Sequence, residues 1–222
     1  MTVMQKNPAR TFTKDFYPVA ALALVLFIPM FVSRQLMFLD FWWWMSTNLV
    51  ILCALSLARD KGLRREIAGD LPRQAGYKML VGIASAALLY LVFRAGNFLS
   101  REIFEFAGRD IGRVYGFKNG AGAMRIALLM LFIIGPGEEL FWRGFVQGNL
   151  SAQKGKIPGF WLGVLFYTLI HVATGNVILI LAALTGGLFW GWLYMRYRSL
   201  LVNMVSHIVW DISVFLLLPF SG

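Results

Sequence analysis

Residues 124–149 read MRIALLMLFIIGPGEELFWRGFVQGN. A run of about 20 mostly apolar residues is enough to cross a bilayer as one helix, and this run exceeds that. Glu138 and Glu139 nevertheless stand near its centre, with Arg143 one turn further on. Charged groups at mid-bilayer cost roughly 2.5–3.5 kcal/mol each on insertion scales, so they are rarely idle. Gly135, Pro136 and Gly137 immediately precede the pair. Proline breaks the helical hydrogen-bond ladder and glycine admits close backbone approach. The expectation is a kink that opens a water-accessible pocket beside Glu138.

The rest of the chain has the same apolar character. Its 222 residues are 59% hydrophobic, 15% aromatic and 14% charged, against about 25% charged in a soluble domain. The fold class is therefore all-α: a polytopic membrane helical bundle forming one domain over residues 1–222, with its motif-bearing core at about 124–215. Seven spans are expected, at 16–33, 36–58, 79–99, 124–149, 159–175, 177–195 and 200–219. The cluster Trp42, Trp43, Trp44 has the character of a headgroup boundary and can shift the start of the second span. The basic N-terminus leads into an apolar stretch without a small-residue cleavage site, so the first span reads as a retained helix. The loops 59–78 and 100–123 mix charge with spaced apolar residues. Each fits an amphipathic surface helix or a solvated connector equally well.

Net charge is +10. The basic residues lie mainly between apolar runs, as membrane topology requires, which argues against a nucleic-acid partner. With the N-terminus inside, the cytoplasmic segments hold thirteen: Lys6, Arg10, Lys14, Arg59, Lys61, Arg64, Arg65, Arg73, Lys78, Lys154, Lys156, Arg196 and Arg198. The opposite side holds six: Arg34, Arg101, Arg109, Arg113, Lys118 and Arg125. The bias favours a cytoplasmic N-terminus. Cys53 is the only cysteine, which excludes an intrachain disulfide or cysteine cluster and makes it a packing residue.

From Ile111 onward the chain has only three acids and two histidines, gathered in GEELFWRG, FYTLIH and HIVWD. Residues four apart share a helix face. Glu139 and Arg143 are thus neighbours that neutralise one another, while Glu138 points about 100° away and is left free to accept a proton from water. His207 and Asp211 repeat the spacing, and an aspartate there can orient the imidazole. So do Tyr167 and His171, the tyrosine stacking near the site or donating its hydroxyl. Counted from the predicted cytoplasmic ends, Glu138, His171, His207 and Asp211 fall roughly 10–18 Å deep, in one layer reached from the cytoplasmic side. Singly, each motif has a plain structural explanation: a buried histidine is usually a hydrogen-bonded packing residue, and a Glu–Arg pair is often a helix staple. Their conjunction carries the weight.

Glu-Glu-x-x-x-Arg, aromatic-x-x-x-His and His-x-x-x-Asn/Asp, in order on successive apolar helices, resemble the CAAX protease and bacteriocin-processing family of intramembrane endopeptidases. The resemblance covers about residues 124–215. It implies that Glu138 is the catalytic glutamate, that Glu139 and Arg143 are its partners, and that His171, His207 and Asp211 complete the site. Tyr167 stands where phenylalanine is usual. Asp211 stands where asparagine is common; an amide can donate to an oxyanion, an ionised carboxylate cannot. The mechanism implied has Glu138 and His171 activate water while His207, supported by Asp211, stabilises the oxyanion. No cofactor is favoured; zinc on Glu138, His171 and His207 is the alternative. The expected substrate is a peptide or protein, lipid-modified or membrane-anchored, cleaved near the cytoplasmic surface of a prokaryotic cell membrane. The rival functions are a non-catalytic immunity or scaffold protein and, last, a proton-coupled transporter.

Overall fold

A computed structural model describes residues 10–220; Lys6, counted above, lies outside them. Among the described residues the chain is all-helical apart from one isolated bridge between Leu36 and Leu39. The helices are α1 (Phe16–Ser33), α2 (Phe41–Arg59), α3 (Lys61–Asp70), α4 (Ala75–Ile103), α5 (Ala107–Tyr115), α6 (Ala123–Lys154), α7 (Lys156–His171), α8 (Val177–Tyr197) and α9 (Leu200–Ile212), the last extended by a wide turn, Ser213–Leu217. Six of them, or their extensions, are long and apolar enough to cross a membrane, and Ala107–Lys118 with Ala123–Lys154, bent by 91°, give a seventh.

The boundaries move where local chemistry outweighs hydropathy. The second span begins at Phe41, not residue 36, because the Asp40 carboxylate accepts the Trp43 N–H at 3.1 Å and caps the helix. Met37, at φ 52°, turns the chain just before it. The loop 59–78 contains α3, a true helix, and the loop 100–123 contains α5.

Alternating spans give the bundle two ends. One gathers the segment before α1, the α2–α3 junction, Gly155 between α6 and α7, and the α8–α9 turn. The other gathers residues 34–40, the linker 104–122, Gly175–Asn176 and the chain after α9. The first end is pinned by buried charge. Arg10 forms ion pairs with Asp60 and Glu66 and donates to the Gly144 carbonyl. Asn149 joins Asp60 at 2.8 Å, and the Tyr194 hydroxyl donates to Glu66 at 2.5 Å. Asp70 takes Lys78, the Ser199 hydroxyl and the Leu201 N–H. Three acids on and just before the short helix α3 thereby fix α2, α4, α6, α8 and α9 together.

Small residues set the helix spacing nearer the middle. A Cβ on Gly159 of α7 would lie 2.4 Å from the Ser151 backbone nitrogen, and one on Gly163 would lie 3.2 Å from Gln147. Such close approach lets membrane helices gain packing contacts that lipid cannot offer. Helix α7, which carries Tyr167 and His171, is held against α6 in this way.

Candidate active site

Helix α6 does not stop at Gly135-Pro136-Gly137. It continues through them, with wide π turns at Met130–Ile134 before and Glu139–Gln147 after. Pro136 has no N–H to give, and the neighbouring turns, bonded over five residues, accommodate the gap. Gly135 is required by its neighbour, since a Cβ there would meet Ile208 of α9 at 2.7 Å. The expected break is therefore a local unwinding against α9, and it sets the glutamates opposite His207.

Both carboxylates reach that imidazole, one at each nitrogen. Glu139 Oε1 lies 2.6 Å from His207 Nδ1, and Glu138 Oε2 lies 3.6 Å from Nε2. A carboxylate can only accept, so Nδ1 is the protonated nitrogen. Glu139 is fully enclosed and fully partnered: Arg143 at 3.2 Å and the Asn203 side-chain amide at 2.9 Å complete its shell. Arg143 in turn lies over the Tyr167 and Trp190 rings and donates to the Gly186 carbonyl. His207 stacks on Trp190 with ring centroids 3.8 Å apart. The imidazole is thus clamped at one edge and on one face, and only Nε2 remains for chemistry.

Two expectations need correction. Glu138 was expected to lack a partner, but it accepts the Tyr167 hydroxyl at 3.1 Å. Asp211 was expected to orient His207; its carboxylate is 3.7 Å from Nε2, beyond hydrogen-bond range, and the orienting bond comes from Glu139. Four-residue spacing puts Asp211 on the right face, but just short of hydrogen-bond contact.

His171 closes α7. Its Nδ1 lies 2.8 Å from the Tyr167 carbonyl, which makes Nδ1 the donor and leaves Nε2 as the free base. Its ring rests between Phe31 and Tyr167. Among the described residues no hydrogen bond or ion pair joins His171 to Glu138; Tyr167 links them, through its backbone and its hydroxyl.

Glu138, Tyr167, His171, His207 and Asp211 all line one cavity of about 470 Å³. Its other walls are mostly apolar, from Phe31 and Met45 to Val92, Leu181 and Trp210. It extends past Ser100, Phe117 and Phe220, all at the bundle end opposite the N-terminal segment. The expected access from the N-terminal side is therefore overturned, because the Arg10 ion-pair cluster and close helix packing fill that end. Among the described residues no group of three or more His, Cys, Asp or Glu side chains is placed to hold a metal ion.

Sequence reasoning missed Asn203 and Trp190. Asn203 had a signal, since it precedes His207 by four residues as Asp211 follows it by four. Trp190 had none, being one aromatic among many on an apolar helix. Cys53 packs as expected, its thiol 3.4 Å from the Gly137 carbonyl.

Residues 120–213 match the family model described as type II CAAX prenyl endopeptidase Rce1-like. No curated protein and no solved structure matches the chain. The matched segment takes in all seven residues of the polar motifs, from Glu138 to Asp211. Over residues 120–213, less than half of its length, this chain of apolar spans is therefore similar to the type II CAAX prenyl endopeptidase Rce1-like family.

Proposed function

We propose that the chain is an intramembrane endopeptidase, with about 124–215 as its catalytic core, that cleaves a membrane-anchored or lipid-modified peptide within the 470 Å³ cavity. The observation that carries this reading is the unequal treatment of two adjacent glutamates. Glu139 has every oxygen engaged, whereas Glu138 has one hydroxyl partner and borders open space. A carboxylate beside a cavity can take a proton from water; one locked by Arg143, Asn203 and His207 cannot.

In the mechanism, Glu138 and the free Nε2 of His171 bracket the attacking water. Glu138 accepts its proton as the oxygen adds to the scissile carbonyl, and Tyr167 keeps the carboxylate in position. The oxyanion forms against His207 Nε2, whose second proton makes the ring a cationic donor. The carboxylates of Glu139, Glu138 and Asp211, at 2.6, 3.6 and 3.7 Å, surround that cation with compensating charge. Collapse of the tetrahedral intermediate returns the Glu138 proton to the leaving amine. Asp211 supports His207 electrostatically and is not itself the donor. Zinc on Glu138, His171 and His207 is the alternative, and it would need all three about 2.0–2.2 Å from one point.

The apolar walls suit an acyl, prenyl or transmembrane portion next to the cut. The setting we propose is a prokaryotic cell membrane with the N-terminus cytoplasmic, as the charge bias favours. The mouth then faces the non-cytoplasmic side, so a cytoplasmic N-terminus and cytoplasmic cleavage exclude one another.

Mass mapping of membrane proteins from cells carrying the intact chain, Glu138→Ala or His171→Ala tests the reading. Peptides whose new ends vanish in both variants, with normal amounts of folded protein, are expected. Unchanged processing would favour a non-catalytic immunity or scaffold role.

A further inference from the structure

After α9 the chain does not leave the bundle. Phe220 lines the reaction cavity, and three side chains hold the backbone of Leu218 and Phe220. The Tyr90 hydroxyl donates to the Leu218 carbonyl at 3.1 Å, and an Arg101 N–H donates to the Phe220 carbonyl at 3.1 Å. The Phe220 N–H donates to the Tyr115 oxygen at 2.8 Å, and that hydroxyl donates onward to the Val214 carbonyl at 3.0 Å. The Phe220 ring stacks on Tyr90, centroids 5.1 Å apart, and forms part of the cavity wall.

The three contacts to Leu218 and Phe220 are all made to main-chain atoms of the segment. Such contacts read an extended peptide without regard to its side chains, which is how a protease holds varied substrates. The segment also separates two spaces. Phe220 and Asn97 line both the reaction cavity and a second cavity of about 560 Å³ along the Arg94–Arg101 face of α4. Lifting the segment would join the two into one groove leading to Glu138.

Resting on the peptidase reading above, we propose that Tyr90, Arg101 and Tyr115 form a main-chain subsite for the substrate peptide, and that the chain's own Leu218–Phe220 fills it as a displaceable plug. A substrate must compete with the plug, so its apparent affinity falls by the fraction of molecules in which the subsite is free.

Two variants separate the plug from the subsite. Phe220→Ala weakens only the plug; Tyr90→Phe with Arg101→Gln weakens both. The probe is an internally quenched peptide carrying a farnesylated cysteine followed by three residues. Release is read independently of cleavage, by the alkylation rate of Val214→Cys, a position buried in the cavity wall, located by mass mapping in a Glu138→Ala background. Phe220→Ala should raise that rate about fivefold, the factor of an aromatic contact of about 1 kcal/mol, and the Tyr90/Arg101 variant should raise it further, because it removes two hydrogen bonds. Saturating peptide should raise it similarly in the parent. In active protein, Phe220→Ala should lower KM by about fivefold at unchanged kcat, while the Tyr90/Arg101 variant should raise KM. A rate at residue 214 that ignores both variants and peptide overturns the plug, and KM moving the same way in both variants overturns the subsite. If no variant or parent shows Glu138-dependent cleavage, the peptidase reading fails, and the alkylation rates still decide the plug.

Discussion

The two ends of the bundle bury carboxylates to opposite effect. At the N-terminal end Asp60, Glu66 and Asp70 each meet cations, hydroxyls or amide groups, and the helices close around them. At the other end Glu138 and Asp211 line a cavity, with one hydroxyl bond for Glu138 and a histidine at 3.7 Å for Asp211. Burying a charge is costly unless it is paired and hydrogen-bonded. The first end gives each of its three carboxylates such partners. The second meets that demand in part, and the unmet remainder is what a water and a peptide can supply. Glu139 marks the boundary: it has the complete shell of the first end yet touches the histidine of the second.

The contrast can be broken most sharply by asking which end faces which compartment. Alkaline phosphatase fused after Phe220 should be active and green fluorescent protein fused there dark, since the charge bias keeps the Arg10 end inside. The reverse pattern would turn the cavity mouth to the cytoplasm. A smaller but measurable effect is expected at the ionic end. Arg10→Ala leaves Asp60 and Glu66 without their buried cation and should cost about 3–5 kcal/mol, read as a large drop in unfolding temperature in detergent. Cleavage per folded molecule should be nearly unchanged. A variant that stayed fully stable but lost cleavage would join the two ends into one working unit.

Much of this contrast was legible beforehand, and the unread parts share a cause. The spans followed from hydropathy, which measures each residue's transfer to lipid and needs no knowledge of neighbours. The motifs followed from the period of the helix, which made Glu139–Arg143 and the His207–Asp211 face readable. What periodicity could not give was distance between helices. It put Asp211 on His207, whereas Glu139 on another helix makes the bond. It also could not show that Asp60, Glu66 and Asp70, plain loop acids in sequence, are buried pins, because their cations come from elements as distant as Arg10 and Lys78. The side of access was misjudged for the same reason. Depth was counted from the loops, while the opening depends on which end the ion pairs fill.

The central claim is that two adjacent buried glutamates divide into a reacting group and a structural one. Purified Glu138→Gln and Glu139→Gln, compared by thermal unfolding and by cleavage of the quenched farnesylated peptide, test it most directly. Glu138→Gln should unfold at or above the parent temperature and lose cleavage by about 10²–10⁴-fold, the span expected for a general base. Glu139→Gln should unfold well below it, because Arg143 and His207 lose their shared anion. A Glu138→Gln protein that cleaves at the parent rate would contradict the account.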